Sequence, residues 1–87
     1  MKFIDKYVFP EERFAVGIEE TTGKYYLSIP VANSYVEYEE YYEMDPDQFR
    51  ACPANLDQLK EMAAKSRARQ NDAKLMMKPG RLRGSAV

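Results

Sequence analysis

The sequence predicts a small α+β domain: a three-stranded antiparallel meander with one main helix packed on one face and a short fourth strand near the C-terminus. Three observations predict this class. Apolar and polar residues alternate in three successive stretches, short polar links join those stretches, and a later stretch has helical spacing. A chain of 87 residues supports one modest core. We assign residues 1–80 to this single domain and residues 81–87 to a flexible basic tail.

The first strand is predicted at residues 13–20, where every second residue from Phe14 to Ile18 is apolar, as on a strand with one buried face. The apolar residues of segment 1–9 are expected to form a short edge strand or an arm on the core. Pro10 then ends regular pairing, because proline has no N–H to donate.

The second strand is predicted at residues 25–31 and the third at residues 35–44, with a turn at Asn33 and Ser34 between them. Pro30 cannot donate to a ladder, so we expect the second strand to lie at an edge of the sheet or to bulge there. A meander of this kind leaves one face partly open to water.

One charged residue, Glu40, falls on the inward face of the third strand. It is expected at the rim of the sheet, paired with a basic side chain from the helix, or in a small pocket, because a buried charge needs a partner. The rest of the predicted core consists of Phe14, Val16, Ile18, Leu27, Ile29, Val31, Val36, Tyr38, Tyr42, Leu56, Leu59 and Met62.

Two helices are predicted after the strands. Asp45 is the expected cap of a single turn that begins at Pro46. The main helix is expected over residues 56–71, where the apolar residues have helical spacing and Asn55 is the candidate cap. Residues 74–78 are the candidate for the short fourth strand.

The composition excludes many kinds of catalytic chemistry. The chain has no histidine, which is the usual general base and transition-metal ligand, and no glycine-rich phosphate loop. Its single cysteine, Cys52, is expected to be buried or incidental, and it permits no internal disulfide. We therefore expect neither catalytic activity nor a cofactor or metal. The lone cysteine and the lack of a signal-peptide pattern favour the cytoplasm.

An acidic surface rich in tyrosine is the strongest feature for a partner. Tyrosine is enriched in protein interfaces, and carboxylates select a basic partner. The residues on the predicted open face are Tyr26, Tyr35, Glu37, Glu39, Tyr41 and Glu43. They favour a protein-binding module that engages a basic protein, one version being an immunity or antitoxin-like inhibitor. The alternative is a solvated sheet face with no partner.

Charge is unevenly distributed along the chain. Residues 1–59 carry five Lys and Arg against twelve Asp and Glu, whereas residues 60–87 carry eight against two. This asymmetry leaves two further hypotheses open: a homodimer that pairs opposite charges, and a nucleic-acid-associated regulator. The basic residues that would contact nucleic acid are Lys65, Arg67, Arg69, Arg81 and Arg83.

Overall fold

The computed structural model describes residues 1–79 and 83–87 of the chain. Five strands form one sheet: β1 (Phe3–Phe9), β2 (Phe14–Glu19), β3 (Lys24–Ala32), β4 (Glu37–Met44) and β5 (Ser85–Ala86). The helices are α1 (Pro46–Arg50), α2 (Leu56–Arg67) and a 3-10 turn at Asp72–Lys74. Strands β1 to β4 pair in chain order and antiparallel. The α+β class, the meander and the main helix are thus confirmed.

The fourth full strand of the sheet is N-terminal, so the prediction of a fourth strand at residues 74–78 is wrong. Strand β1 pairs with β2, with a bulge between Asp5 and Tyr7. At the other edge, the chain after the 3-10 turn meets β4 through a single bridge between Leu75 and Tyr42. Pro79, a short distance further on, has no N–H with which to extend a ladder.

Strand β3 lies inside the sheet and has no bulge at Pro30, although Pro30 predicts an edge strand or a bulge. It pairs with β4 from Tyr25 to Ala32, but its pairing with β2 ends at Ala15 and Ser28. Beyond that point β5 takes the place of β2, and the N–H of Val87 donates to the Pro30 carbonyl over 3.3 Å. Pro30 is tolerated because its missing N–H falls where β2 has already ended.

The core lies between the sheet and α2. Its buried residues are Phe14, Val16, Leu27, Ile29, Val31, Tyr42, Met44, Leu59, Met62 and Ala63. These residues include most of the predicted core, but Val36 is 55% exposed. It belongs to the β3–β4 loop, where its N–H donates to the Asn33 side chain over 2.9 Å. Strand β4 therefore begins at Glu37, two residues later than the alternation predicts.

Helix α2 ends at Arg67 rather than at the predicted residue 71. The residue after its cap, Arg69, has a φ of 60°. The N–H of Arg69 donates to the Ser66 carbonyl over 3.1 Å, and the N–H of Gln70 donates to the Lys65 carbonyl over 2.9 Å. This is the Schellman arrangement, which satisfies the last carbonyls of a helix and turns the chain away.

The β2–β3 hairpin is tied together by one buried carboxylate, Glu19. Its oxygens accept hydrogen bonds from the backbone N–H groups of Lys2, Thr21 and Thr22 and from the Thr22 hydroxyl, at 2.8 to 2.9 Å. Burial alone raises the pKa of Glu19, but these hydrogen bonds outweigh it and lower the pKa from 4.5 to about 2. Glu19 thus joins the start of β1 to the hairpin in its ionised form.

This carboxylate predicts a loss of stability in acid. Between pH 4.5 and about 2 the unfolded chain binds a proton at Glu19 that the folded chain does not bind, so acid favours unfolding. We expect the urea midpoint of the wild type to fall over that range. In Glu19→Gln the midpoint should be lower at neutral pH and should change less with pH. An identical pH slope in both proteins would show that Glu19 does not carry this effect.

Within residues 1–79 and 83–87, no helix has both the length and the apolar character needed to cross a membrane.

Candidate protein-binding groove

The open face of the sheet carries a small aromatic cluster of its own. The rings of Phe3 and Tyr41 stack with their centroids 3.6 Å apart, and Tyr26 meets both rings edge-on at 5.4 and 5.0 Å. Phe3 lies on β1 and Tyr41 on β4, so their rings meet across the two strands between them. The sheet therefore curves around this face, and aromatic packing protects part of it from water.

Tyr26 packs beneath the exposed residues of the open face. It offers no contact area to a partner, because its side chain is fully buried. Its hydroxyl donates to Asp5 Oδ1 over 2.6 Å. Burial is the largest cause that raises the pKa of Tyr26, and this hydrogen bond to a carboxylate is the second. The ring lies over Gly17, where a Cβ would come within 2.7 Å of the Tyr26 Cζ atom. The expectation that Tyr26 contacts a partner overlooked this second packed layer.

Beside the aromatic cluster lies a groove of about 400 Å³. Three carboxylates line it: Asp5 from β1, and Glu37 and Glu39 from β4. Val8, which is 60% exposed, contributes an apolar wall, and Val87 contributes another. We call this the acidic groove.

The carboxylates of the acidic groove repel one another. Burial is the largest cause that raises the pKa of Glu39, followed by the nearby charges of Asp5 and Glu37. In the part of the chain that the structure describes, no lysine or arginine forms an ion pair with these three carboxylates. Arg13 also lines the groove, but the three carboxylates outnumber this one cation, so the lining carries net negative charge.

The other predicted partner residues lie outside the groove lining. Glu43 is paired with Lys24 at 3.3 Å, and Tyr41 is held in the aromatic stack. Burial is the largest cause that raises the pKa of Tyr41, and the charge of Glu39 is the second. Tyr35 lies at the tip of the β3–β4 loop and is 82% exposed. The structure thus brings together two of the six predicted residues in the groove and presents Tyr35 separately.

Asp5 and Val8 are two of the groove residues that sequence reasoning missed. The bulge at Lys6 shifts the alternation of β1, so Asp5 and Val8 lie on the same face as Glu37 and Glu39 although their spacing is odd. The sequence signal for this strand is the set of apolar residues in segment 1–9, which predicts an edge strand or an arm on the core.

The basic residues proposed for nucleic acid are engaged within the chain, except Arg81, which lies outside the described residues. Lys65 pairs with Glu61 at 3.3 Å. Arg67 donates to the carbonyls of residues 12 and 13 over 2.6 and 3.0 Å, and Arg69 donates to the Gly84 carbonyl over 3.2 Å. Their guanidinium groups hold the β1–β2 turn and the C-terminal segment.

Arg83 is the most strongly held of these residues. It forms two hydrogen bonds to Glu40, at 2.8 and 3.1 Å, and two to Asp72, at 2.8 and 2.9 Å. The Tyr42 hydroxyl also donates to Glu40, over 2.8 Å. The hydrogen bonds to Asp72 and then to Glu40 raise the pKa of Arg83. Glu40 does have a basic partner, as one prediction held, but that partner comes from the C-terminal segment rather than from the helix.

The described residues show no arrangement suited to metal or thiol chemistry. Among residues 1–79 and 83–87, no group of three or more acidic or cysteine side chains is arranged to hold a metal ion. Cys52 is half-buried, its thiol donates to the Gln48 carbonyl over 3.4 Å, and burial raises its pKa. A raised pKa reduces the thiolate fraction on which cysteine reactivity depends.

Comparison with protein-family models, curated proteins and solved structures found no match to this chain.

Proposed function

We propose that this chain is a non-enzymatic protein-binding module whose acidic groove takes a basic segment of a partner protein. The observation that supports this proposal is a set of three carboxylates that repel one another beside an exposed apolar wall. They outnumber the one arginine of the lining, Arg13, and form no ion pair with the described lysines and arginines. A lysine or arginine side chain entering the groove relieves that repulsion. Its aliphatic stem can then lie against Val8.

The tip of the β3–β4 loop supplies additional contact area close to β4 in the chain. Tyr35 and Val36 are 82% and 55% exposed, and the Asn33 side chain accepts hydrogen bonds from both of their N–H groups. A rigid, exposed tyrosine gives a large contact surface at a small entropic cost. We include this tip in the proposed binding surface.

The concrete version of the proposal is an immunity or antitoxin-like inhibitor in the cytoplasm. In that role Glu37 and Glu39 would occupy basic residues that a nuclease uses to bind phosphate. Nucleic acid is less favoured as the partner because Arg67, Arg69 and Arg83 already form hydrogen bonds within the chain. A homodimer is a further outcome that the affinity capture described next would detect.

The proposal predicts the result of affinity capture from the native lysate, performed with nuclease present. The wild-type bait should retain a basic protein in stoichiometric amount. A Glu37→Gln, Glu39→Gln bait should lose most of it, because close charge pairs at an interface contribute about 1.5 kcal/mol or more each. Mass spectrometry of the retained proteins measures both results.

The matched control is a Glu43→Gln, Glu61→Gln bait. It makes the same change in net charge, but it removes carboxylates that already pair with Lys24 and Lys65. This control should retain the partner. If both baits lost the partner equally, the loss would result from the change in net charge and not from the groove. If the groove variant retained the partner, the groove would be rejected as the binding surface. Recovery of nucleic acid in place of a protein, when nuclease is omitted, would support the alternative in which the basic residues bind nucleic acid.

A further inference from the structure

Residues 83–87, which we call the strap, contribute Val87 to the lining of the acidic groove. Within the strap, β5 pairs Ala86 with Val31 and Ser85 with Ala32, and Val87 lines the groove together with Glu37 and Glu39. The strap occupies the part of the β3 edge that β2 leaves open. The shape of the groove therefore depends on a ladder of two residue pairs.

The side-chain contacts that hold the strap lie at its start, whereas the rest of it is held by backbone pairing with β3. Ser85, Ala86 and Val87 are exposed, whereas the Arg83 side chain is 14% exposed and lies between Glu40 and Asp72. Gly84 fixes the approach to β3. Its N–H donates to the Tyr38 hydroxyl over 2.7 Å, and a Cβ on Gly84 would lie 2.6 Å from the Ala32 backbone.

We propose that the strap is a movable wall of the acidic groove, and that the Arg83 cluster with Glu40 and Asp72 is the lock that keeps it closed. This inference rests on the proposed function, since it concerns the affinity of that groove for a basic segment. With the strap docked, the groove has both its Val8 and Val87 walls. With the strap released, the Val87 wall is lost and the Val31–Ala32 edge of β3 is unpaired. Only the docked state is competent for tight binding.

Two variants release the strap by different routes. Gly84→Ala places a methyl group against the Ala32 backbone and leaves every charge of the chain in place. Arg83→Gln removes the lock itself. Arg50→Gln is the matched control for Arg83→Gln, because Arg50 pairs with Asp47 at the exposed surface of α1.

The test uses a fluorescein-labelled octa-arginine peptide as the probe, with octa-glutamate as the negative peptide, at constant ionic strength. We expect both strap variants to raise the Kd for octa-arginine about tenfold, and the Arg50→Gln control to leave it unchanged. Amide hydrogen exchange provides a readout independent of affinity. The Val87 and Ala32 amides should exchange faster in both variants. The β2–β3 amides should stay protected in Gly84→Ala, and in Arg83→Gln they should lose less protection than the strap amides. Octa-arginine should slow strap exchange in the wild type, because coupling between binding and docking is reciprocal.

The outcomes separate this inference from the proposed function. Wild-type affinity in Gly84→Ala, with the strap amides exchanging fast, would show that the strap does not control the groove, while the groove itself would stand. Unchanged strap protection in Arg83→Gln would show that Arg83 is not the lock. Failure of the wild type to bind octa-arginine in preference to octa-glutamate would reject both the groove and the strap.

Discussion

Replacing Gly17 with alanine is expected to lower the free energy of unfolding by about 3 kcal/mol, because the added methyl group has no room. A Cβ at Gly17 would come within 2.5 Å of the Tyr26 hydroxyl oxygen and would also clash with the Ile4 carbonyl oxygen of the neighbouring strand. Neither group can move freely. The Tyr26 ring is fully buried beside Phe3 and Tyr41, and Ile4 belongs to the β1–β2 ladder. Chemical denaturation of the two proteins measures the difference.

The matched control for Gly17→Ala is Gly23→Ala in the neighbouring hairpin. A Cβ at Gly23 meets nothing within 4 Å, but its φ is 72°, so this variant has only the backbone cost of a left-handed alanine, about 1 kcal/mol. Gly17→Ala should therefore be clearly the more destabilising of the two. Equal losses would mean that the aromatic layer over Gly17 adapts to the methyl group and is not tightly packed.

Removing the Arg83 side chain is expected to have the second large effect. Arg83→Met should lower the free energy of unfolding by about 3 kcal/mol, because it leaves the buried Glu40 carboxylate without its cation. The exposed fractions of the two side chains, 14% for Arg83 and 6% for Glu40, show that water can do little to replace the lost contact. Urea unfolding at neutral pH measures the loss.

A double-mutant cycle identifies the cause of that loss. In the Glu40→Gln background the uncompensated charge is gone, so the further change Arg83→Met should cost much less than it does in the wild type. The hydrogen bonds between Arg83 and Asp72 would remain as a smaller residual term. Strict additivity of the two single changes would contradict a direct coupling between Glu40 and Arg83.

Strands β2, β3 and β4 could be predicted because large apolar residues recur at every second position of each one, apart from Glu40 in β4. In the structure only β4 alternates in burial, since four consecutive residues are buried in β2 and in β3. The N-terminal β1 was only partly predictable, since the bulge between Asp5 and Tyr7 breaks its alternation. The α1 start was predictable from local chemistry: the Asp45 side chain accepts a hydrogen bond from the Asp47 N–H over 2.9 Å, as expected of an N-cap. Local signals of this kind need no knowledge of the tertiary fold.

The features that could not be predicted depend on contacts between distant parts of the chain. The Phe3–Tyr41 stack buries Tyr26 on a face that alternation alone assigns to water. The partner of Glu40, Arg83, lies 43 residues away in sequence, and β5 is too short to leave a periodic pattern. Of the candidate site, Glu37, Glu39 and the exposed Tyr35 followed from the sequence. The groove that Glu37 and Glu39 line could not be predicted, because it depends on the curvature of the sheet.

Chemical-shift mapping with octa-arginine tests the central claim, a groove that binds a basic segment, most directly. In a two-dimensional amide spectrum of the wild type, the shifts should centre on Asp5, Val8, Glu37 and Glu39, saturate with peptide, and be absent with octa-glutamate. In Glu37→Gln, Glu39→Gln the same peptide should cause little change. Shifts spread evenly over the acidic surface, or centred away from the groove, would contradict the account.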